Sequence, residues 1–405
     1  MTWAPATRGP DAAEIYSAAE ADRLARPERY RLDSDAVVER ATRDGEIPES
    51  DFADGWRTGL VEYLASARDD GRLNALGTRM VVDTAVGRLV AGARTTEAWR
   101  AHPSFASSPL APPIVIVGGW RTGTTFLSRL LATDPRLRGP LPAELTAPWR
   151  FVHADATTRE RLIDKGGAAH DLLHVLNPTM AAVHPSGPRL PEECVLALGT
   201  DLRNWGFTST VRLDSYAAWL ADEDLTGSYE RYRHALQLLS VGDERRWVLK
   251  APAHTGELPC LAKAFPGAIV VHLHRDVVET IASGASLFAV FRSTYSDDVD
   301  PVDVGRFQAE QTERWFGRAA AFRSSSEASA VTIVDLDYED LIADPSLAVR
   351  TVLAAADLEP SADLGAFVDE YQAANPRDAH GRHDYEPADF GLDPDELRAR
   401  FVGLD

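Results

Sequence analysis

The chain has 405 residues, 44% of them hydrophobic and 26% charged, with a net charge of −20. That balance fits a large soluble globular fold. It argues against a general affinity for nucleic acid or anionic membrane, which needs basic surface, but leaves room for one basic pocket that grips an anion. Residues 1–30, rich in Ala, Pro and charge, read as a loosely attached arm. They contain no apolar segment of the signal-peptide kind. No apolar run in the chain approaches the roughly 18 residues of a membrane span. The two cysteines, Cys194 and Cys260, have no disulfide-framework or metal spacing, which points to a reducing, cytoplasmic setting.

A helical extension over 1–110 comes first. Asp33 and Ser34 are capping residues ahead of a helix. Trp56, Leu60, Tyr63 and Leu64 fall at i, i+4, i+7 and i+8, one face of another. "RMVVDTAVGRLV" continues the helical pattern, and the Pro/Ser-rich "HPSFASSPLAPP" closes the extension as a linker. From residue 111 to 405 the pattern is α/β. "PIVIVGG" is a short buried strand ending in glycines, and "TTFLSRLLATDP" is the helix after it, with Phe126, Leu127, Leu130 and Leu131 on one side. "WVLKA", "AIVVHLHR" and "AVTIVDLDY" are three more buried-strand candidates with helical segments between them. Apolar strands alternating with helices imply a parallel sheet covered on both faces. A mostly helical insert, about 150–245, separates the first two strands. With Trp205 and Trp219 in it, it reads as the part that shapes an acceptor pocket.

The residues with the clearest chemistry lie at the first strand–helix junction. In "VGGWRTGTTFLSRLL", Gly118 and Gly123 have the G-x-x-x-x-G spacing of a phosphate-binding loop. A strand, a glycine turn and a helix N-terminus together bind anions through backbone N–H groups and the helix dipole. A nucleotide triphosphatase has lysine where this chain has Thr124, and that lysine reaches the β- and γ-phosphates. Here the basic residue is Arg121, inside the loop. The pattern weakens the case for γ-phosphate chemistry and permits a less charged ligand, a 5′-phosphate bearing a sulfuryl group. A plain glycine turn is the alternative for the spacing taken alone.

The loop resembles the 5′-phosphosulfate loop of sulfotransferases that use 3′-phosphoadenosine 5′-phosphosulfate (PAPS). The bacterial and tyrosylprotein branch is nearest, with R-S-G-T-T where this chain has Arg121, Thr122, Gly123, Thr124 and Thr125. The resemblance extends over about Pro112 to Pro345. It implies a P-loop-type α/β fold, PAPS as co-substrate, no metal, and a hydroxyl acceptor that is a small molecule, lipid or glycolipid. "VVHLHRDVVETIAS" is similar to the family's 3′-phosphate site, which assigns that phosphate to Arg275 and to Ser283 eight residues on. An arginine at a strand end grips phosphate oxygens in a planar fork.

For the base, the tyrosylprotein branch uses a glutamate about twenty residues beyond the loop arginine, and Glu144 stands 23 beyond Arg121. His254 in "LKAPAHTGELP" is the rival, since the cytosolic branch uses a histidine two residues after a lysine, although His254 stands four after Lys250. Lys250 resembles the family lysine that stabilises the departing bridging oxygen, and Arg121 would contact the 5′-phosphate and the transferring group. "YEDLIADP" looks like the family's late strand-to-helix junction, and "GRHDYEPADFGLD" resembles a closing segment. Glu192 and Glu193 in "LPEEC" read as a solvated helix start rather than as an acceptor contact. His272 and His274 share one strand face, with no third metal ligand evident in the sequence. A P-loop kinase, with Asp335 or Asp337 as magnesium carboxylate, is the alternative enzyme class. A non-catalytic nucleotide-binding protein is the third reading.

Overall fold

Five strands form one parallel sheet in the computed structural model, which describes residues 3–102, 104–105, 109–376 and 385–404. They are β1 (Ile114–Gly118), β2 (Leu137–Arg138), β3 (Arg246–Lys250), β4 (Ile269–His274) and β5 (Thr332–Asp337), in the order β2-β3-β1-β4-β5. All five residues of β1 are buried, as a central parallel strand covered on both faces requires. Full burial of each Ile or Val side chain there contributes about 1.5–3 kcal/mol relative to exposure. On one face of the sheet Ile114, Ile116, Val271 and Leu273 pack with Leu127, Leu130, Leu131, Val349 and Val352. On the other, Val115, Val117 and Val270 join a larger cluster that includes Trp315 and Phe316.

Four N-terminal helices precede the sheet, and the last three contribute to that larger cluster. They are α1 (Pro10–Ala25), α2 (Ser34–Gly45), α3 (Trp56–Asp69) and α4 (Ala75–Arg100). Asp33 caps α2 by accepting the Ala36 N–H at 3.0 Å, and Asn74 caps α4 by accepting from Gly77 at 2.8 Å. The predicted face of α3 is buried, and α4 buries Val81, Val82, Ala85 and Leu89. Within the stretch expected to form a loose arm, Pro10–Ala25 is instead a docked helix. Ala12 and Ala19 are small enough to let α1 lie close to its neighbours, and Tyr16 donates its hydroxyl to the Thr294 carbonyl at 2.7 Å.

Two strands differ from expectation. β2 has only two residues, too short to leave a periodic signal. β5 is an edge strand with Thr332, Asp335 and Asp337 exposed rather than a buried one, because only β4 pairs with it. In the helical insert, Trp205 points into the core, donating to Glu257 Oε1 at 2.9 Å. No described helix is long and apolar enough to cross a membrane.

Candidate active site

The chain leaves the sheet centre at Gly118 and re-enters order as α5 (Thr124–Leu131). β3 and β4 flank β1, so this turn sits where the strand order switches sides, the usual ligand crevice of an open parallel sheet. The turn is tight. Gly118 has φ of 137°, and a Cβ on it would meet the Leu273 carbonyl oxygen. Gly123 has φ of 85° and abuts the Tyr338 ring. Arg121 also adopts a left-handed φ, 62°. That conformation costs a non-glycine residue about 1–2 kcal/mol, and it is tolerated where surrounding contacts fix it. Two such contacts hold it: Arg121 Nη1 donates to the Val183 carbonyl at 3.0 Å, and its own carbonyl accepts from Arg275 Nη1 at 2.9 Å. Thr122 Oγ1 donates to the Gly119 carbonyl at 2.9 Å, and Thr255 Oγ1 accepts the Gly118 N–H at 2.9 Å. The N–H groups of Thr124, Thr125 and Phe126, in the first turn of α5, have no partner within the helix.

Arg275, just beyond β4, lies with its guanidinium 4.4 Å from the centre of the Tyr338 ring and near Glu279 at 3.3 Å. Ser283 is buried on the helix Val277–Tyr295. It sits between Thr280, which meets Gly119, and Gly284, which meets Trp120. The structure therefore brings the loop, Arg275, the Ser283 helix and the start of "YEDLIADP" together. "GRHD", the beginning of the closing segment, lies outside the described residues.

Lys250 ends β3 in register with Ile116 of β1, two residues before the loop. Its side chain is 3% exposed, and Nζ donates to Glu193 Oε1 at 2.8 Å. The pair Glu192–Glu193 is thus no solvated helix start. Glu192 is buried, accepts the Glu193 N–H at 2.9 Å and lies 3.3 Å from His184 Nε2. Burial opposes its charge, yet His184, Lys250 and the Glu193 amide outweigh burial and hold its carboxyl well below the ordinary range. Arg129 of α5 fastens this segment to the loop helix through the Pro185 carbonyl at 2.8 Å and the Pro191 carbonyl at 3.4 Å.

Neither predicted base stands open to an acceptor. Glu144 is buried in the short helix Pro142–Thr146. One oxygen accepts from Arg138 at 2.6 Å and the other from the Leu141 N–H at 3.0 Å. Its place is that of a helix cap and counter-ion. His254 is fully buried, with Nδ1 2.7 Å from the Tyr229 hydroxyl, and burial pulls it down to about 3. It is a core histidine with no path to solvent.

The third group that the sequence did not offer His272 and His274 is Asp335, which faces them from β5. Asp335 accepts from Arg323 at 2.9 and 2.7 Å and lies 2.8 Å from His274 Nε2. Arg323 already supplies the positive charge such a trio would draw. Its hydrogen bonds, more than His274, bring Asp335 down to about 2 against the opposing effect of burial.

Comparison with known proteins places this arrangement. Residues 112–363 match the model of the sulfotransferase family. Two curated relatives, both called omega-hydroxy-beta-dihydromenaquinone-9 sulfotransferase Stf3, come from Mycobacterium bovis and Mycobacterium tuberculosis. Each is 28% identical over 264 residues, which is 59% of this chain and 61% of the relative. The match therefore spans less than two thirds of those proteins' length. The crystal structure of sulfotransferase STF1 from Mycobacterium tuberculosis H37Rv superposes with a TM-score of 0.76 at 28% identity, over 91% of this chain and 98% of that one. Sulfotransferase STF9 from Mycobacterium avium gives 0.78 at 24% identity over 91% and 94%, a likeness of fold.

Proposed function

The chain belongs to the sulfotransferase family, and from that premise we propose that it transfers a sulfuryl group from PAPS to the hydroxyl of a small, lipid-like acceptor. The observation that carries the donor assignment is the contact of Arg275 with the Arg121 carbonyl at 2.9 Å. Two anion-binding motifs, 154 residues apart in sequence, meet at one crevice. The loop 121–125 and the N-terminus of α5 take the 5′-phosphosulfate. Arg275 and Ser283 take the 3′-phosphate. Lys250 steadies the bridging oxygen as the S–O bond breaks, and Arg121 neutralises charge on the sulfuryl oxygens. Positioning and electrostatics dominate group transfer of this kind.

An apolar alcohol suits a chain with net charge −20, which would repel a polyanionic glycan. The menaquinone-derived alcohol in the relatives' name is consistent with that class. Calorimetric titration without magnesium, against adenosine 3′,5′-bisphosphate and separately against ATP, tests the donor. Micromolar binding of the bisphosphate, much weakened by Arg275→Ala, is the expected result. Binding of ATP alone, or only with magnesium, would sink the reading in favour of a P-loop kinase.

A further inference from the structure

We propose that Glu193 is the general base, the group that takes the acceptor's proton. The inference rests on the sulfotransferase reading above and names a residue that the reading leaves open. A base needs a proton-accepting group beside the transferring group, reachable by the acceptor, with an accepting atom not locked into the fold. Glu144 fails the last requirement and His254 the second. Glu193 meets all three. Its side chain is 15% exposed, against 4% for Glu144. One oxygen, Oε1, is met by Lys250 Nζ, and Lys250 lies beside β1 just before the loop. The backbone beneath Glu193 is fixed from behind, because its N–H is held by Glu192, which His184 in turn engages.

The charged and titratable groups around it are few. Lys250 faces it from β3, Glu192 and His184 from the same crossing segment, and Cys194 follows it in the chain. Burial pushes the Cys194 thiol up to about 11, so the thiol stays neutral and does not compete for the role. Arg121 reaches the residue before His184 through the Val183 carbonyl, which ties the base-bearing segment to the phosphosulfate loop.

The step balances as follows. The acceptor oxygen forms a bond to sulfur as the bond from sulfur to the bridging oxygen breaks. The electron pair of the broken bond leaves with adenosine 3′,5′-bisphosphate, whose bridging oxygen Lys250 stabilises. The hydroxyl proton passes to Glu193 and later to solvent. No oxidant, metal or further reactant is consumed.

The test compares the wild-type chain with Glu193→Gln, which removes the basic oxygen and keeps a neutral side chain of the same shape. Calorimetry with adenosine 3′,5′-bisphosphate comes first. If neither chain binds it, the donor reading fails and the base is not at issue. If only the variant loses binding, Glu193 is a structural residue and the proposal is overturned. If both bind within about threefold, sulfuryl transfer from PAPS is measured to geraniol, an alcohol that needs a base, and to 4-nitrophenol, which ionises readily without one. General-base catalysis contributes about 10²–10⁴-fold, so the variant should lose at least about 100-fold with geraniol and far less with 4-nitrophenol. Equal losses with both, or none, overturn the proposal. Should neither probe serve the wild type, release of sulfate from PAPS with water as acceptor replaces them. The same loss is then expected, and equal rates overturn the proposal.

Discussion

Two acid–base pairs occupy the two ends of β3, and they are built differently. At the start of the strand, Arg138 packs 4.0 Å over Trp247 and pairs with Glu144 and Asp243, at 2.6 and 2.7 Å. At the end, Lys250 pairs with Glu193 at 2.8 Å. In the first pair the carboxylate is 4% exposed and both its oxygens are engaged. In the second it is 15% exposed, with one hydrogen bond to Oε1 and, among the described residues, none to Oε2. A saturated pair fixes structure, and an unsaturated one retains a lone pair for chemistry. The contrast separates the glutamate that the motif picks out from one that it passes over.

Removing the carboxylate charges should break that contrast most visibly in stability. Glu144→Gln leaves Arg138 buried with one counter-ion in place of two. Breaking a buried pair costs about 3–5 kcal/mol, and with Asp243 still present the lower end is expected. Glu193→Gln should cost less, because that carboxylate is closer to solvent. Urea unfolding of both variants measures this, and equal losses would show the two sites to be equally structural.

Next in size is Lys250→Met. Loss of one donor aimed at a developing charge costs about 2.7–4 kcal/mol of barrier, a fall of roughly 100- to 1,000-fold in transfer rate. Affinity for adenosine 3′,5′-bisphosphate should fall too, since the oxygen that Lys250 stabilises stays with that product, but by less than the rate, because the loop and Arg275 still hold its two phosphates. A rate assay and calorimetry on one preparation separate the two. A variant that loses bisphosphate affinity and keeps its rate would place Lys250 on the nucleotide instead.

Arg275 and Arg323 sharpen a second contrast, at the opposite side of the sheet. Arg275 rests on the loop, whereas Arg323 is spent on Asp335. A hydrogen bond to a charged group is worth about 1.5–3 kcal/mol. Arg275→Ala should therefore weaken bisphosphate binding roughly 10- to 150-fold, and Arg323→Ala should leave it near the wild-type value. A similar loss in both would make the Arg323–Asp335 pair part of the nucleotide site.

The residues at issue also show what a sequence carries. The loop, Lys250 and Arg275 are legible because each sits at a strand end next to a turn or helix, a local pattern. The cap at Asp33 is legible for the same reason. Glu193 is not, because what gives it meaning is Lys250, 57 residues away. Glu144 is visible as a candidate, but its engagement by Arg138 depends on β2, a strand of two residues with no pattern of its own. The docking of α1 rests on Ala12 and Ala19, whose small size is a packing property and not a polarity signal. Asp335 joins His272 and His274 only through the register of β5 on β4.

The smallest effect expected concerns His254, and it tests the reading of this residue as core. Burial pulls it down to about 3 from an ordinary value of 6.5. Between those values the unfolded chain binds a proton that the folded chain refuses, so stability falls as pH drops below about 6.5. One such group contributes a slope of up to about 1.4 kcal/mol per pH unit. His272, brought to about 3 mainly by burial, acts in the same direction. Glu257 opposes them. Burial outweighs Arg318 and raises it from 4.5 to about 7, so its contribution is full below 4.5 and is lost as pH rises through 7. The sum of these groups over pH 5 to 6.5 remains a loss on acidification, with two histidines against one carboxyl. His254→Asn keeps a polar atom near Tyr229 and cannot take the proton. Urea midpoints at pH 7 and pH 5.5 should therefore fall less steeply for the variant, by about one proton's share. An unchanged slope would mean that His254 is protonated in the folded chain, and it would return this residue to the list of possible bases.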